Sequence, residues 1–112
     1  MTSVPFTQKV FGGLGECHGL IRPDGDCLVL EFQVQDSLGG IFRSRPKSVR
    51  VPLADLQSVE LRGGWFSRSL VIQARSLIST ANVPGSKQGR VEVKIARADV
   101  PAAERLVAGV YE

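Results

Sequence analysis

The sequence predicts a mainly β domain followed by a single C-terminal α-helix, and two patterns carry that prediction. Short runs with apolar residues at every second position recur between about residues 15 and 96, separated by glycine, proline and aspartate, as in antiparallel sheets. From residue 99 the apolar spacing changes to about 3.6 residues, the period of an amphipathic helix. The chain has 112 residues, which is enough for one domain around one hydrophobic core.

The clearest predicted element is a β-hairpin in the segment IRPDGDCLVLEFQV. Asp24 and Gly25 favour a type I′ turn, because both central residues of that turn need positive φ. A two-residue loop at this point pairs Ile21 with Leu28 and leaves Val29 on the outer face. The residues expected to face the core are Cys17, Gly19, Ile21, Leu28, Leu30, Phe32 and Val34.

Alternation predicts the other strands, and turn residues separate them. The predicted strands cover residues 42–52, 58–62, 69–75, 77–80 and 90–96. The first ten residues are expected to form an extra strand or an arm, and the helix is expected at about 99–111. Inward-facing residues are expected to include Leu70, Ile72, Val91, Val93 and Ile95 in the strands and Val100, Ala103, Leu106, Val107 and Val110 in the helix.

Composition disfavours several functional classes. Cys17 and Cys27 fall at different points along the hairpin, so free thiols in a reducing compartment are expected. His18 is the sole histidine and no ligand cluster accompanies it, so neither a metal site nor a cofactor is expected. The net charge of +3 gives nucleic acid little support as a partner. No apolar run approaches ~20 residues and no signal-peptide layout is present, so a cytoplasmic protein is expected.

The order of about seven strands and a C-terminal helix resembles a pleckstrin-homology-like (PH-like) domain, in particular the small members found in bacteria. The resemblance rests on VRVPLADLQSVEL and on VPGSKQGRVEVKIARADVPAAERLVAGV. It implies a seven-stranded antiparallel barrel or orthogonal sandwich capped by the helix. Members bind phosphoinositide headgroups, proline-rich peptides, phosphopeptides or other protein surfaces. The headgroup binders use a basic loop between their first two strands, whereas the loop at residues 23–26 is short and acidic.

A basic stretch, FRSRPKSVRVP, is the first candidate site. Its four candidate residues are Arg43, Arg45, Lys47 and Arg50. Val49, Val51 and Leu53 are expected to face the core, and strict alternation would bury three of the cations with them at high cost. The strand is therefore predicted to change phase at Pro46 or at a bulge before Arg50, which places all four cations on one surface. That surface is either a solvated edge or a site for anions.

The segment RGGWFSR is the second candidate site, and its candidate residues are Arg62, Trp65, Phe66 and Arg68. An exposed aromatic pair between arginines suits a membrane interface, a peptide groove or a self-association contact. The alternative is that one ring folds back and closes the end of the barrel.

The sequence shows no catalytic constellation. It lacks a Gly-x-Ser-x-Gly elbow, and FGGLGE lacks the Lys-Ser/Thr of a phosphate loop. The predicted function is a non-catalytic interaction module that binds a protein partner or forms a homo-oligomer. The alternative is binding of an anionic ligand or lipid headgroup through residues 43–50, including weak contact with an anionic membrane or with phosphate.

Overall fold

A computed structural model of the chain describes residues 3–10, 15–36, 46–64, 68–84 and 86–110. Within these ranges the protein forms one antiparallel sheet of seven strands and one C-terminal helix, so the mainly β prediction is confirmed. The elements are β1 (Val4–Val10), β2 (Gly15–Asp24), β3 (Cys27–Asp36), β4 (Lys47–Pro52), β5 (Leu56–Gly63), β6 (Arg68–Ala74), β7 (Arg90–Ile95) and α1 (Val100–Val110). Short 3-10 turns at Leu53–Asp55 and Arg97–Asp99 precede β5 and α1.

The sheet has the order β4-β3-β2-β1-β7-β6-β5, so β4 and β5 form its two edges. These edge strands are consecutive in the chain and are joined by three residues, Leu53–Asp55. Such a link spans at most about 14 Å between strand ends, so the sheet must curl until its edges approach each other at this corner. Among the described residues β4 and β5 do not pair. The sheet is therefore open, and the predicted barrel or sandwich is not confirmed.

One hydrophobic core draws side chains from all seven strands and from α1. The inward-facing sets predicted for the hairpin, for β6 and for β7 are confirmed. Buried members of these sets are Cys17, Ile21, Leu28, Leu30, Phe32, Val34, Leu70, Ile72, Val91, Val93 and Ile95. In α1, which contacts β5 and β1, Ala103 and Leu106 are buried. The other predicted helix residues, Val100, Val107 and Val110, are partly buried against the same core.

The turn between β2 and β3 lies one residue later than predicted. Asp24 pairs with Cys27, so the turn residues are Gly25 and Asp26. Gly25 has a φ of 62° while the φ of Asp26 is not positive, which suits a type II′ turn with glycine first rather than type I′. The pairing along the strands is shifted by two residues, and each side chain keeps its predicted face because the strand period is also two.

Residues 4–10, for which a strand or an arm was expected, form strand β1 in the middle of the sheet. Two other local expectations are corrected. Residues 77–80, predicted as a strand, form bends and turns. Leu53, expected to face the core, lies in a 3-10 turn and is 37% exposed. Leu53 and residues 77–80 lie outside the paired strands of the sheet, although both segments are apolar.

Candidate functional site

Strand β4 contains two of the four cations of the basic stretch and directs them to opposite faces. Arg43 and Arg45 lie outside the described residues. The pairing of β4 with β3 is continuous from Lys47 to Pro52, so the bulge predicted before Arg50 is not present. Lys47 and Arg50 then point to opposite sides of the sheet, and the prediction that they share one surface is wrong. Lys47 is the first residue of β4, and at this end of the strand its side chain is exposed.

Arg50 belongs to an ion-pair network on the outer face of β2, β3 and β4. It donates to Asp24 Oδ2 at 3.0 Å, and Arg22 Nε donates to Glu31 Oε1 at 2.6 Å. The hydrogen bond with Asp24 raises the pKa of Arg50. Val29, expected to be exposed, is fully buried. Its register neighbours are Arg22 and Arg50, and the aliphatic stems of arginines can cover an apolar neighbour on the same face. The charge of Arg50 is therefore already balanced within the protein.

The two arginines of the second candidate site are also separated from each other. β5 and β6 pair as the predicted hairpin, and Trp65 and Phe66 lie outside the described residues. Arg62 forms an ion pair with Glu60, with Nη2 2.7 Å from Oε2. The register places Arg62 and Arg68 on opposite faces of the sheet. These two arginines do not form one site.

Beyond β6, the segment of residues 75–84, here called the 75–84 loop, is attached to the β4–β5 corner through Asp55. Ser76 Oγ donates to Asp55 Oδ2 at 2.8 Å, and Ser79 Oγ donates to the same oxygen. The backbone N–H of Arg75 donates to the Asp55 carbonyl oxygen at 2.7 Å. The hydroxyl donors, first Ser79 and then Ser76, stabilise the carboxylate and lower the pKa of Asp55.

The 75–84 loop presents two large apolar side chains to solvent. Leu77 is 64% exposed and Ile78 is 86% exposed. Behind them, Thr80 is fully buried and accepts a hydrogen bond from Ser86 Oγ at 3.0 Å, while Val83 enters the core. The loop is therefore fixed at both ends around its exposed pair. Sequence reasoning missed this surface because it assigned Leu77 and Ile78 to a strand.

Asp55 provides a test of how the loop is held. Replacing Asp55 with asparagine is expected to lower the exchange protection of the Arg75 amide several-fold at neutral pH, since the hydroxyl–carboxylate bonds are lost. The folded-state pKa of Asp55 lies below the ordinary value of 3.8. The carboxylate therefore contributes fully above pH 3.8, and its contribution is lost as the pH falls through the folded-state pKa.

Hydrogen exchange followed by NMR from pH 7 down to about 3 measures this effect. The difference in protection between the wild type and Asp55→Asn is expected to shrink as the pH falls through the lowered folded-state pKa of Asp55. Glu104→Gln is the control, because Glu104 is an exposed carboxylate on α1, outside both the loop and the β4–β5 corner. Full protection of the Arg75 amide in Asp55→Asn at neutral pH would contradict the anchoring role.

The seam between β1 and β7 contains a cavity. These strands have one aligned pair, Thr7 with Lys94, and a cavity of about 460 Å³ lies against this pair. We call it the seam cavity. Its charged lining consists of Arg68, Lys94, Arg97 and Asp99, and its apolar lining includes Phe6 and Ile95. A further cavity of about 430 Å³, also against the Thr7–Lys94 pair, has a mixed lining that includes Lys9, Glu16 and Glu92.

Arg68 is the residue of the seam cavity with an unmet hydrogen-bonding requirement. Its Nε atom is buried and has no hydrogen-bond partner among the described residues. A buried donor without a partner is costly, most of all in a charged group, and such groups call for an explanation. Arg68 is a sequence-predicted site residue, although its predicted companions were the aromatic rings of the β5–β6 loop.

His18 and the two cysteines have different surroundings. His18 is exposed, and its Nε2 atom lies 3.1 Å from Glu16 Oε2 and 3.4 Å from Gln35 Nε2. Both cysteines are free thiols, as predicted. Burial raises the pKa of Cys17 to about 11, which leaves its thiol protonated and weakly nucleophilic. Across the described ranges, no group of three or more His, Cys, Asp or Glu residues is placed to hold a metal ion.

Comparison with known proteins gives no relative. No family model, no curated protein and no solved structure matches the chain. In the part of the chain that the structure describes, no helix has the length and apolarity needed to cross a membrane. The chemistry of the 75–84 loop and of the seam cavity is therefore the basis for a functional assignment.

Proposed function

We propose that the protein is a non-catalytic interaction module that binds a partner protein through Leu77 and Ile78. The observation that carries this proposal is the exposure of both side chains, 64% and 86%, at adjacent positions of one loop. Burying a Leu or Ile side chain that was exposed contributes about 1.5–3 kcal/mol. An apolar pocket on a partner would gain this free energy for each of the two.

The attachment of the 75–84 loop favours binding further. Asp55 accepts hydrogen bonds from Ser76 and Ser79, on either side of the exposed pair. A loop that is already ordered loses little conformational entropy when a partner binds, so less of the binding free energy is lost and the affinity is higher. The apolar pair is thus presented in the manner of a preorganised anchor.

The proposed partner is a different protein and not a second copy of this chain. Two side chains cover far less than the roughly 1,200–2,000 Å² that a stable interface buries, so they must enter a pocket supplied by the other molecule. The cavities found along the β1–β7 seam mix charged with apolar residues in their linings, so an apolar anchor that entered them would remove water from charged groups. The net charge of +3 also disfavours self-association.

A PH-like frame forms part of the proposal. The order of seven strands and a C-terminal helix supports it, as does the curl that the short β4–β5 link imposes. In that superfold the loops determine the ligand, so the 75–84 loop is a suitable binding element. The alternative of headgroup binding through residues 43–50 has less support, because Arg50 is paired with Asp24 and points away from the face of Lys47.

Photo-crosslinking in the native cell tests the proposal. A benzophenone amino acid at position 78 is expected to give one discrete adduct, which mass spectrometry identifies as a different protein. Leu77→Ser should reduce the yield of that adduct several-fold, since it removes half of the apolar anchor. The same cross-linker at position 104, an exposed site on α1, is the control and should not give the adduct.

Three outcomes would contradict the proposal. The first is the absence of any discrete adduct at position 78, and the second is an adduct with the mass of two copies of this chain. The third is sedimentation with lipid vesicles that depends on Ile78, because the apolar pair would then insert into a membrane.

A further inference from the structure

We propose that the partner protein carries acidic residues around its apolar pocket, and that Arg75 and Lys87 bind their carboxylates. This inference rests on the proposed function, because it concerns the partner that receives Leu77 and Ile78. It goes further by naming the chemistry that surrounds the apolar contact. The partner is therefore expected to present an acidic surface with an apolar centre.

The chain around the 75–84 loop has a one-sided charge. Over the whole sequence 14 basic residues stand against 11 acidic ones. Between Glu60 and Glu92 the sequence has no Asp or Glu and five basic residues, which are Arg62, Arg68, Arg75, Lys87 and Arg90. A locally positive surface of this kind attracts and orients an acidic partner.

Arg75 is the first residue of the 75–84 loop and lies two positions before Leu77. Its side chain is exposed, and its backbone N–H is held by the Asp55 carbonyl oxygen at 2.7 Å. The carboxylate of Asp55 already accepts hydrogen bonds from Ser76 and Ser79. Arg75 forms no ion pair with any described residue, so its guanidinium group is available to a partner carboxylate.

Lys87 lies on a turn that is bonded to both ends of the 75–84 loop. At the start of the loop, the Ala74 N–H donates to the Gly89 carbonyl oxygen at 2.8 Å. Towards its end, Ser86 Oγ donates to Thr80 Oγ1 at 3.0 Å. The Lys87 side chain is exposed and forms no ion pair with any described residue. Fixed segments therefore hold one cation before the apolar pair and another beyond it.

The number of cations favours a protein partner over a membrane. Two cations give only weak attraction to an anionic membrane, and stable attachment normally needs a larger polybasic patch or a lipid anchor. Two partner carboxylates are enough to balance Arg75 and Lys87. An apolar centre with a polar rim is also the usual arrangement of a protein interface, and Leu77 and Ile78 would form the centre here.

Photo-crosslinking from position 78 in the native cell tests the inference, with Arg75→Gln and Lys87→Gln combined in one chain. The yield of the adduct is expected to fall about fivefold, because charges at the rim of an interface add moderately to affinity and to the association rate. A chain that combines Arg75→Lys with Lys87→Arg keeps both charges and should give the adduct at close to the wild-type yield.

Lys9→Gln combined with Arg105→Gln is the matched control. Both residues are exposed and form no ion pair with any described residue. This chain also loses one lysine and one arginine, so it lowers the net charge of +3 by the same two units. Its adduct yield is expected to equal that of the wild type, which separates a local contact from the overall charge.

A charge exchange with the partner completes the test. Mass spectrometry of the adduct is expected to place Asp or Glu residues of the partner close to the cross-linked position. Replacing these with lysine should lower the yield with the wild type. The same partner variant should restore the yield with a chain that combines Arg75→Glu and Lys87→Glu, because the two charges are then exchanged across the interface.

The outcomes separate this inference from the proposed function. Absence of an adduct at position 78 would overturn both. An adduct that Leu77→Ser weakens, but that forms equally well after the combined Arg75→Gln and Lys87→Gln change, would overturn the acidic partner alone. So would a melting temperature of that chain well below the control, since the cations would then serve the fold. Sedimentation with phosphatidylserine vesicles that requires Arg75 and Lys87 would overturn the protein partner in favour of a membrane.

Discussion

Replacing Gly19 with alanine is expected to lower the free energy of unfolding by about 3 kcal/mol or more, at the upper end of overpacking effects. Gly19 lies in β2 between Phe6 of β1 and Phe32 of β3. A Cβ atom at this position would overlap the backbone oxygen of Glu31 and would lie 2.7 Å from the Phe6 ring. Neither neighbour can move easily, because the oxygen belongs to the sheet and Phe6 is 3% exposed.

Urea denaturation measures the effect, and the melting temperature should fall by about 10 °C or more for a domain of this size. Gly109→Ala is the matched control. A methyl group added at Gly109 in α1 would meet no described atom outside the helix within 4 Å, so alanine is expected to stabilise the helix by about 0.5–1 kcal/mol. Equal stability of Gly19→Ala and the wild type would contradict the packing of β1 on β2.

Replacing Leu106 with alanine is expected to cost about 3 kcal/mol, within the range for truncation of a buried leucine. Leu106 is 2% exposed and belongs to the same core as the strands. Its helix contacts β5 and β1, which come from different parts of the sheet. The variant therefore tests whether α1 is an integral part of the core that the curled sheet encloses.

Glu104→Ala is the control for this helix. Glu104 is exposed on α1, and its removal should change stability by no more than about 0.5 kcal/mol. Chemical denaturation of both variants gives the comparison. A Leu106→Ala protein as stable as Glu104→Ala would mean that the helix does not complete the core.

Much of the fold was predictable because alternation reports the buried face directly. Val91, Val93 and Ile95 are buried as predicted, and so are Ala103 and Leu106 of the helix. The β2–β3 hairpin is an example. Its turn moved by one residue, to Gly25-Asp26, yet every predicted inward residue of β3 remained inside because the pairing shifted by an even number.

The candidate surfaces were less predictable, because they depend on contacts between distant segments. The seam cavity requires β1 to lie beside β7 and to align with it at Thr7 and Lys94, which no local pattern specifies. The 75–84 loop is held by Asp55, more than twenty residues earlier in the chain. The choice between a strand and an arm for the first ten residues was left open, although in VPFTQKV the alternation of Val4 and Phe6 with polar residues favours the strand.

The affinity for the cross-linked partner tests the central claim most directly. Once the partner has been identified and purified, its dissociation constant is measured for the wild type, for Ile78→Ser and for Asn82→Ser. Asn82 is an exposed residue of the same loop and serves as the control. Ile78→Ser is expected to weaken binding by about tenfold or more, as loss of an apolar anchor does, while Asn82→Ser binds like the wild type. Equal affinity of Ile78→Ser and the wild type would contradict binding through Leu77 and Ile78.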